Sequence, residues 1–200
     1  MNLPTPIFIG FFPKITQPRP EWIKTATITE ICSVSEDISK GPNNWIDQWK
    51  HNSLGFFDSE QIAISLISDN LEQYDIYAYE MFPFHVLNSL VSTVEIDFRI
   101  GTVPPDYESL GHDIVTKSAS DFFECSPLSC NNAAENFTTN KFCLLDGEAK
   151  AYDALLEMSK AGSGVEPGPY YLFKVYRKKR AQHRQERQAI HRILQTRKLC

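Results

Sequence analysis

Three of the five cysteines in this 200-residue chain fall close together, in Phe122-Phe-Glu-Cys-Ser-Pro-Leu-Ser-Cys-Asn131 and in the apolar run Lys141-Phe-Cys-Leu-Leu145. Ser126-Pro127 has the chemistry of a helix N-cap followed by proline at the first helical position, and Cys130, Ala133, Ala134 and Phe137 then recur at helical spacing. The pattern predicts a helix from Pro127 that turns Cys130 to the core and leaves Cys125 just ahead of its N-terminus. A thiol at the positive end of a helix dipole ionises more readily, and free amides there hold anions. Cys125 is therefore the candidate nucleophile. It would need a base, and among His51, His85 and His112 the nearest in sequence is His112, with Asp113 beside it to orient the imidazole.

Metal binding is the other chemistry open to these thiols. Cys125-x4-Cys130-x12-Cys143, with Cys32 from a distance, contains the four sulfurs of a tetrahedral zinc site. The tight CxxC or CxxH knuckles that mark such sites are missing, and Cys130 and Cys143 read equally as small buried hydrophobes. No metal ligand is assigned and no cofactor is expected, zinc being the one considered.

Charge divides the chain more sharply than its net value of −5 indicates. Residues 1–173 hold 10 Lys/Arg against 24 Asp/Glu, a balance of −14, whereas residues 174–200 hold 10 Lys/Arg against Glu186 alone, a balance of +9. Lys178, Lys179, Arg180, Arg184, Arg187 and Arg192 form a basic strip free of proline and glycine, which predicts a C-terminal helix able to contact phosphates without reading sequence. Its partner would be nucleic acid, an acidic protein surface, or the acidic body of a second copy of the chain. Bulky apolar anchors are too sparse for a membrane surface.

The elements that must position these residues follow from hydrophobic period. Ile7–Phe12 and Thr25–Ser35 read as strands, the second interrupted at Glu30; Ala26, Ile28, Cys32 and Val34 would share its buried face. Trp45 and Trp49 lie on one helical face as a packing anchor. Asp58, with Gln61 three residues on, predicts the cap of an amphipathic helix through Ile67. Asp75–Phe82 reads as an interior strand, Val94–Ile100 as a half-exposed edge strand, and Gly111–Thr116 as a short strand. Asp146 predicts the cap of a helix with the stripe Ala151, Ala154, Leu155 and Met158, and Pro169–Tyr176 the last strand. No internal repeat is visible in the sequence.

Together these elements predict one mixed α+β domain over residues 1–177, a small, mostly antiparallel sheet flanked by helices, with a basic helical tail over 178–200. The length supports a full core without disulfides. No stretch reaches the roughly 20 apolar residues of a membrane helix, and the N-terminus lacks a signal peptide's basic start, so the expected compartment is the cytoplasm. The expected function is that of a binding or interaction protein whose basic tail meets an anionic partner, with self-association as a further possibility. The alternative is a small enzyme with a cleft at the Cys125 helix start, thiol-dependent or ADP-ribosyltransferase-like. In it Cys125, His112 and Glu166 would be the catalytic residues. None of the distinctive segments matches a family motif, so no role is carried over from one.

Overall fold

The computed structural model describes residues 3–35, 41–42, 50–98, 100–117, 123, 125–160, 165 and 167–179. The expected Trp45/Trp49 helix, Glu166 and the predicted tail helix from Arg180 onward lie outside the described residues. The chain order is β1 (Ile7–Lys14), β2 (Gln17–Pro18), β3 (Glu30–Ile31), α1 (Glu60–Leu66), β4 (Asp75–Leu87), β5 (Leu90–Thr93), β6 (Tyr107–Thr116), α2 (Pro127–Cys130), α3 (Glu148–Met158) and β7 (Tyr170–Lys178). Short 3-10 turns lie at Ser68–Gln73 and Ala133–Glu135. The fold is a mixed α+β domain whose main sheet is antiparallel throughout, in the order β1-β4-β7-β6, with β5 extending it on the far half of β4.

The sheet is built twice. In each half an edge strand is followed, after an excursion, by an asparagine-centred loop, a helix and a central strand: β1, Asn52, α1, β4, and then β6, Asn140, α3, β7. Gly10 lies opposite Tyr79, Gly111 opposite Val175, and Tyr79 and Val175 lie opposite each other. Around that central pair the register is symmetric, since Ala78 faces Tyr176 as Glu80 faces Lys174, and Tyr77 faces Arg177 as Met81 faces Phe173. A pseudo-dyad therefore passes through the middle of the sheet, perpendicular to it.

The two asparagine loops match bond for bond. The Asn52 amide donates to Ile9 O (2.9 Å) and to Asp58 Oδ1 (3.0 Å), and its Oδ1 accepts from the amides of Leu54 and Phe56. The Asn140 amide donates to Leu110 O (2.7 Å) and Asp146 Oδ1 (2.8 Å), and its Oδ1 accepts from the amides of Phe142 and Leu144. Gly55 and Cys143 occupy the same left-handed position, at φ +84° and +62°. Each loop then pairs with the outer side of its edge strand, Phe57 with Phe11 and Leu145 with His112.

These loops explain why both helix starts fall one residue later than the caps expected from sequence. Asp58 and Asp146 are occupied by the asparagines. The caps pass to Ser59, whose hydroxyl accepts from the Ile62 amide, and to Gly147. The predicted stripe of Ala151, Ala154, Leu155 and Met158 is buried.

At Gly10 and Gly111 the edge strands bulge, with φ +135° and +137°. A Cβ at Gly10 would stand 2.7 Å from Phe57 O, and one at Gly111 would stand 3.0 Å from Leu145 O. Gly10→Ala and Gly111→Ala are each expected to lower stability by roughly 2–3 kcal/mol in urea melts, since the strain is backbone on backbone.

The two faces of the sheet are covered differently. Lys178 on the Lys174/Tyr176 face binds Glu60 at the start of α1, and Glu148 at the start of α3 acts on Tyr176 electrostatically, so both helices lie over that face. The opposite face carries an aromatic layer in which Phe123 meets Phe173 at 4.8 Å and Phe56 meets Tyr79 at 5.1 Å. The segment through Cys32 and Val34 packs against it.

Three expected elements differ. Of Thr25–Ser35 only Glu30–Ile31 forms a ladder, because Thr29, Glu30 and Cys32 spend their amides on the carbonyls of Lys141 and Phe142. Val94–Phe98 is not a strand, although Val94, Ile96 and Phe98 do pack on the core while Glu95 and Asp97 are exposed. The helix expected from Pro127 stops at Cys130, and Asn132 turns left-handed at φ +55° before the 3-10 turn.

Candidate functional site

The break at Asn132 removes the geometry on which a reactive Cys125 depended. Helix α2 spans four residues, and Ser126, at its N-cap, uses its hydroxyl on Asp113 Oδ1 (2.6 Å) instead of on a helix amide. Cys125 is buried at 2% exposure and directs its thiol to Asn131 Oδ1 at 3.5 Å. The expected orientation is reversed: Cys125 is the buried thiol and Cys130 the half-exposed one.

His112 lies in the middle of β6, opposite Lys174, whereas Cys125 bridges to Thr116 further along the same strand. At the rise of a β-strand these positions are about 13 Å apart, beyond hydrogen-bond reach. The imidazole meets Leu145 O through Nδ1 at 3.3 Å, and its Nε2 is buried with no partner among the described residues. Burial is the main cause that lowers its pKa from the ordinary value, so neutral imidazole is the favoured form. Asp113 does not orient it: successive strand residues point to opposite faces, and the Asp113 carboxylate turns away to the other side of the sheet.

There Asp113 belongs to a buried polar network that the sequence did not announce. Lys14, 1% exposed, donates to the backbone oxygens of Ser33 (3.0 Å), Val34 and Ser35 (3.0 Å), and lies over the rings of Phe12 and Tyr79. Asp113, 0% exposed, accepts from Ser33 Oγ (3.0 Å), the Val34 amide (2.7 Å), Ser126 Oγ and the Ile114 amide. One short segment, Ser33–Ser35, is thus held from both sides by opposite charges. Burial raises the Asp113 pKa, while its hydrogen bonds and then Lys14 pull it back.

The remaining thiols behave as packing groups. The Cys143 thiol points at Leu128 O (3.6 Å), and Cys32 accepts from Tyr77 Oη (3.5 Å). Burial pushes the Cys32 thiol up to about 12 and raises that of Cys143 as well. Among the described residues no group of three His, Cys, Asp or Glu side chains converges as metal ligands. Of the four described thiols, Cys130 is expected to alkylate first with iodoacetamide at pH 8, with Cys32, Cys125 and Cys143 protected until unfolding. Peptide mapping by mass spectrometry reads this order directly.

On the helix-bearing face, at the pseudo-dyad, a further polar group escaped the sequence reading. Tyr176 donates to Glu80 at 2.5 Å, and the Lys174 ammonium lies 5.5 Å from the Tyr176 ring centre. Burial and then the Glu80 bond raise the phenol's pKa, so it is a hydrogen-bond donor and not a base. The only sequence signal was Glu80 interrupting an otherwise apolar strand.

The first two members of the basic strip belong to the body. Lys178 is 2% exposed and pairs with Glu60 and with Asp106 (3.4 Å), and the Lys179 amide bonds Asp106 O at 3.0 Å. Lys178 and Lys179, beyond the expected boundary at 177, thus contact the body directly. Lys178 is a structural cation, whereas the Lys179 ammonium is exposed and donates to Pro105 O. No helix among the described residues is long and apolar enough to cross a membrane. Comparisons with protein-family models, with curated proteins and with solved structures found no match.

Proposed function

We propose that the chain is a binding protein whose basic C-terminal segment meets an anionic partner, a nucleic acid or an acidic protein surface. The observation that carries this reading is the way charge is distributed at the end of β7. Arg177 is paired with Glu30 (3.0 Å) and Glu108 (3.7 Å), and Lys178 with Glu60 and Asp106, so the two cations that end the last strand are neutralised within the acidic body. The sequence that follows carries Arg180, Arg184, Arg187, Arg192, Arg197 and Lys198 against Glu186 alone. The candidate catalytic residues give the enzyme alternative no comparable support, because Cys125 is buried and His112 stands a strand's length away from it.

The contacts of Lys178 and Lys179 define the test. A chain ending at Lys179 keeps β7 and its ion pairs, and is expected to fold like the full chain by circular dichroism. The full chain should bind duplex DNA or polyglutamate with strong salt dependence. For DNA, six phosphate contacts would give a slope of log K against log salt of roughly −5. Equal binding by the truncated chain would overturn the reading, and the choice between the two polyanions separates nucleic acid from acidic protein.

A further inference from the structure

The residue after each bulged glycine holds the same place in the two halves of the sheet: Phe11 after Gly10, His112 after Gly111. Each is 5% exposed, and each exchanges both backbone hydrogen bonds with an asparagine loop on the outer side of its strand, Phe11 with Phe57 and His112 with Leu145. Phe11 fills that place with hydrocarbon, its ring 5.2 Å from Phe8 and 5.7 Å from Tyr107. His112 fills it with a ring that can take a proton.

The fold makes no provision for that proton. A carbonyl only accepts, so the contact with Leu145 O puts the imidazole hydrogen on Nδ1 and leaves the buried Nε2 as a lone pair. Protonation there would create an N–H with no acceptor among the described residues. The surroundings oppose the charge as well. Because His112 turns its backbone groups outward to Leu145, its pair with Lys174 is of the non-hydrogen-bonded kind, which brings the two side chains closest. No carboxylate of the described residues lies within ion-pair distance of the Lys174 ammonium. Glu80, next along that row, is bonded by the Tyr176 hydroxyl. From β4 the imidazole meets the Phe82 ring at 6.3 Å, and Asp113 turns to the other side of the sheet. The attractive charges are Glu148 at the start of α3 and Asp146 in the loop. Both are exposed, and burial of the ring outweighs them. The loop's own Cys143 is kept a neutral thiol by burial.

We infer that His112 makes the second asparagine loop an acid-released latch: a proton on Nε2 detaches the loop at Leu145 from the outer side of β6, a release that Phe11 denies to the first loop. The linkage has a definite sign. The ring ionises freely only when the latch is open and water reaches it, with an ordinary pKa of about 6.5. The latch is therefore held in full above that value and loses its hold as pH falls below it. At pH 5 the bias toward release reaches about 30-fold for a ring that stays neutral while the latch is closed.

Amide exchange measured by NMR on the full chain at pH 7.5 and pH 5, corrected for intrinsic rates, tests this. The Leu145 amide, which donates to His112 O at 2.8 Å, is expected to lose protection by roughly tenfold or more at the lower pH, while the amides of β4 and β7, which report global opening, keep theirs. His112→Phe copies the other half of the sheet and should abolish the loss at Leu145. If His112→Phe does not fold, His112→Asn decides, since it offers Leu145 O a donor without a titrating ring and should abolish the loss equally. Unchanged protection of Leu145 in the wild type, a fall shared with β4 and β7, or the same fall in whichever variant folds would each overturn the inference.

Discussion

Lys14→Met is expected to destabilise the protein by roughly 3 kcal/mol, the upper range for losing charge-assisted hydrogen bonds to buried groups. The substitution leaves the carbonyls of Ser33, Val34 and Ser35 without their shared donor and leaves Asp113 buried without its nearby cation. Urea unfolding at neutral pH reads the loss. Asp113→Ala should cost a similar amount, since it strands Ser33 Oγ, the Val34 amide and Ser126 Oγ together. The double variant should lose clearly less than the sum, because both residues hold the same segment. Full additivity would mean that they act separately.

The same network has a pH signature of unusual sign. Burial raises the folded pKa of Asp113 above the unfolded value of about 3.9, so the folded chain holds this proton more tightly. Its contribution to stability is complete below the unfolded pKa and is lost as pH rises through the folded one, opposite to the trend of a salt-bridged carboxylate. Unfolding measured across that window in the wild type and in Asp113→Asn should show this component vanish in the variant.

The second large effect concerns the repeated loops. Asn52→Ala and Asn140→Ala each remove four side-chain hydrogen bonds, two given and two received, and are each expected to cost roughly 3–4 kcal/mol. Because the bonding partners correspond one to one, the two losses should agree within about 1 kcal/mol, the usual spread of such measurements. Markedly unequal losses in matched urea melts would show that one loop is only a geometric echo of the other. Asn→Asp at either site is expected to be nearly as damaging, since it replaces a donor to Asp58 or Asp146 with a like charge.

Hydrophobic period made the frame of this fold legible. The apolar run at Ile7, the interior strand at Asp75, the last strand before Tyr176 and the stripe of α3 all reflect burial that a single side chain's polarity records. Burial without a ladder misleads the same reading. Val94, Ile96 and Phe98 alternate correctly and pack on the core, yet the true edge strand lies just before them in Leu90–Thr93. The cysteine cluster misled for a related reason: spacing placed Cys130 on a helical face, but one left-handed residue, Asn132, ended the helix.

The duplication was hard to see because its sequence signal is confined to one short, degenerate motif. Asn52-Ser-Leu-Gly-Phe-Phe-Asp-Ser-Glu60 and Asn140-Lys-Phe-Cys-Leu-Leu-Asp-Gly-Glu148 share the asparagine, the aspartate, the glutamate and an apolar pattern. The left-handed position between them is glycine in one and cysteine in the other, so even the expected glycine signal fails. Lys14 and Asp113 were illegible in a different way. Each is an ordinary charged residue until three-dimensional pairing removes it from water.

The pseudo-dyad also divides the chain by tolerance to change. Each half inserts its own excursion at the same point, between the edge strand and the asparagine loop: residues 15–51 in one, 117–138 in the other. The excursions differ in length, and the frame beneath them is the same. They meet on the face opposite α1 and α3, where Ser33–Ser35 from the first and Ser126 from the second close on Asp113. A descendant of this chain could therefore exchange the exposed parts of either excursion and keep its sheet, so long as the layer now formed by Ile28, Cys32 and Val34 of one and Phe123 and Leu128 of the other stays apolar. The lasting requirement would be a clasp that joins the two where Lys14 and Asp113 now stand.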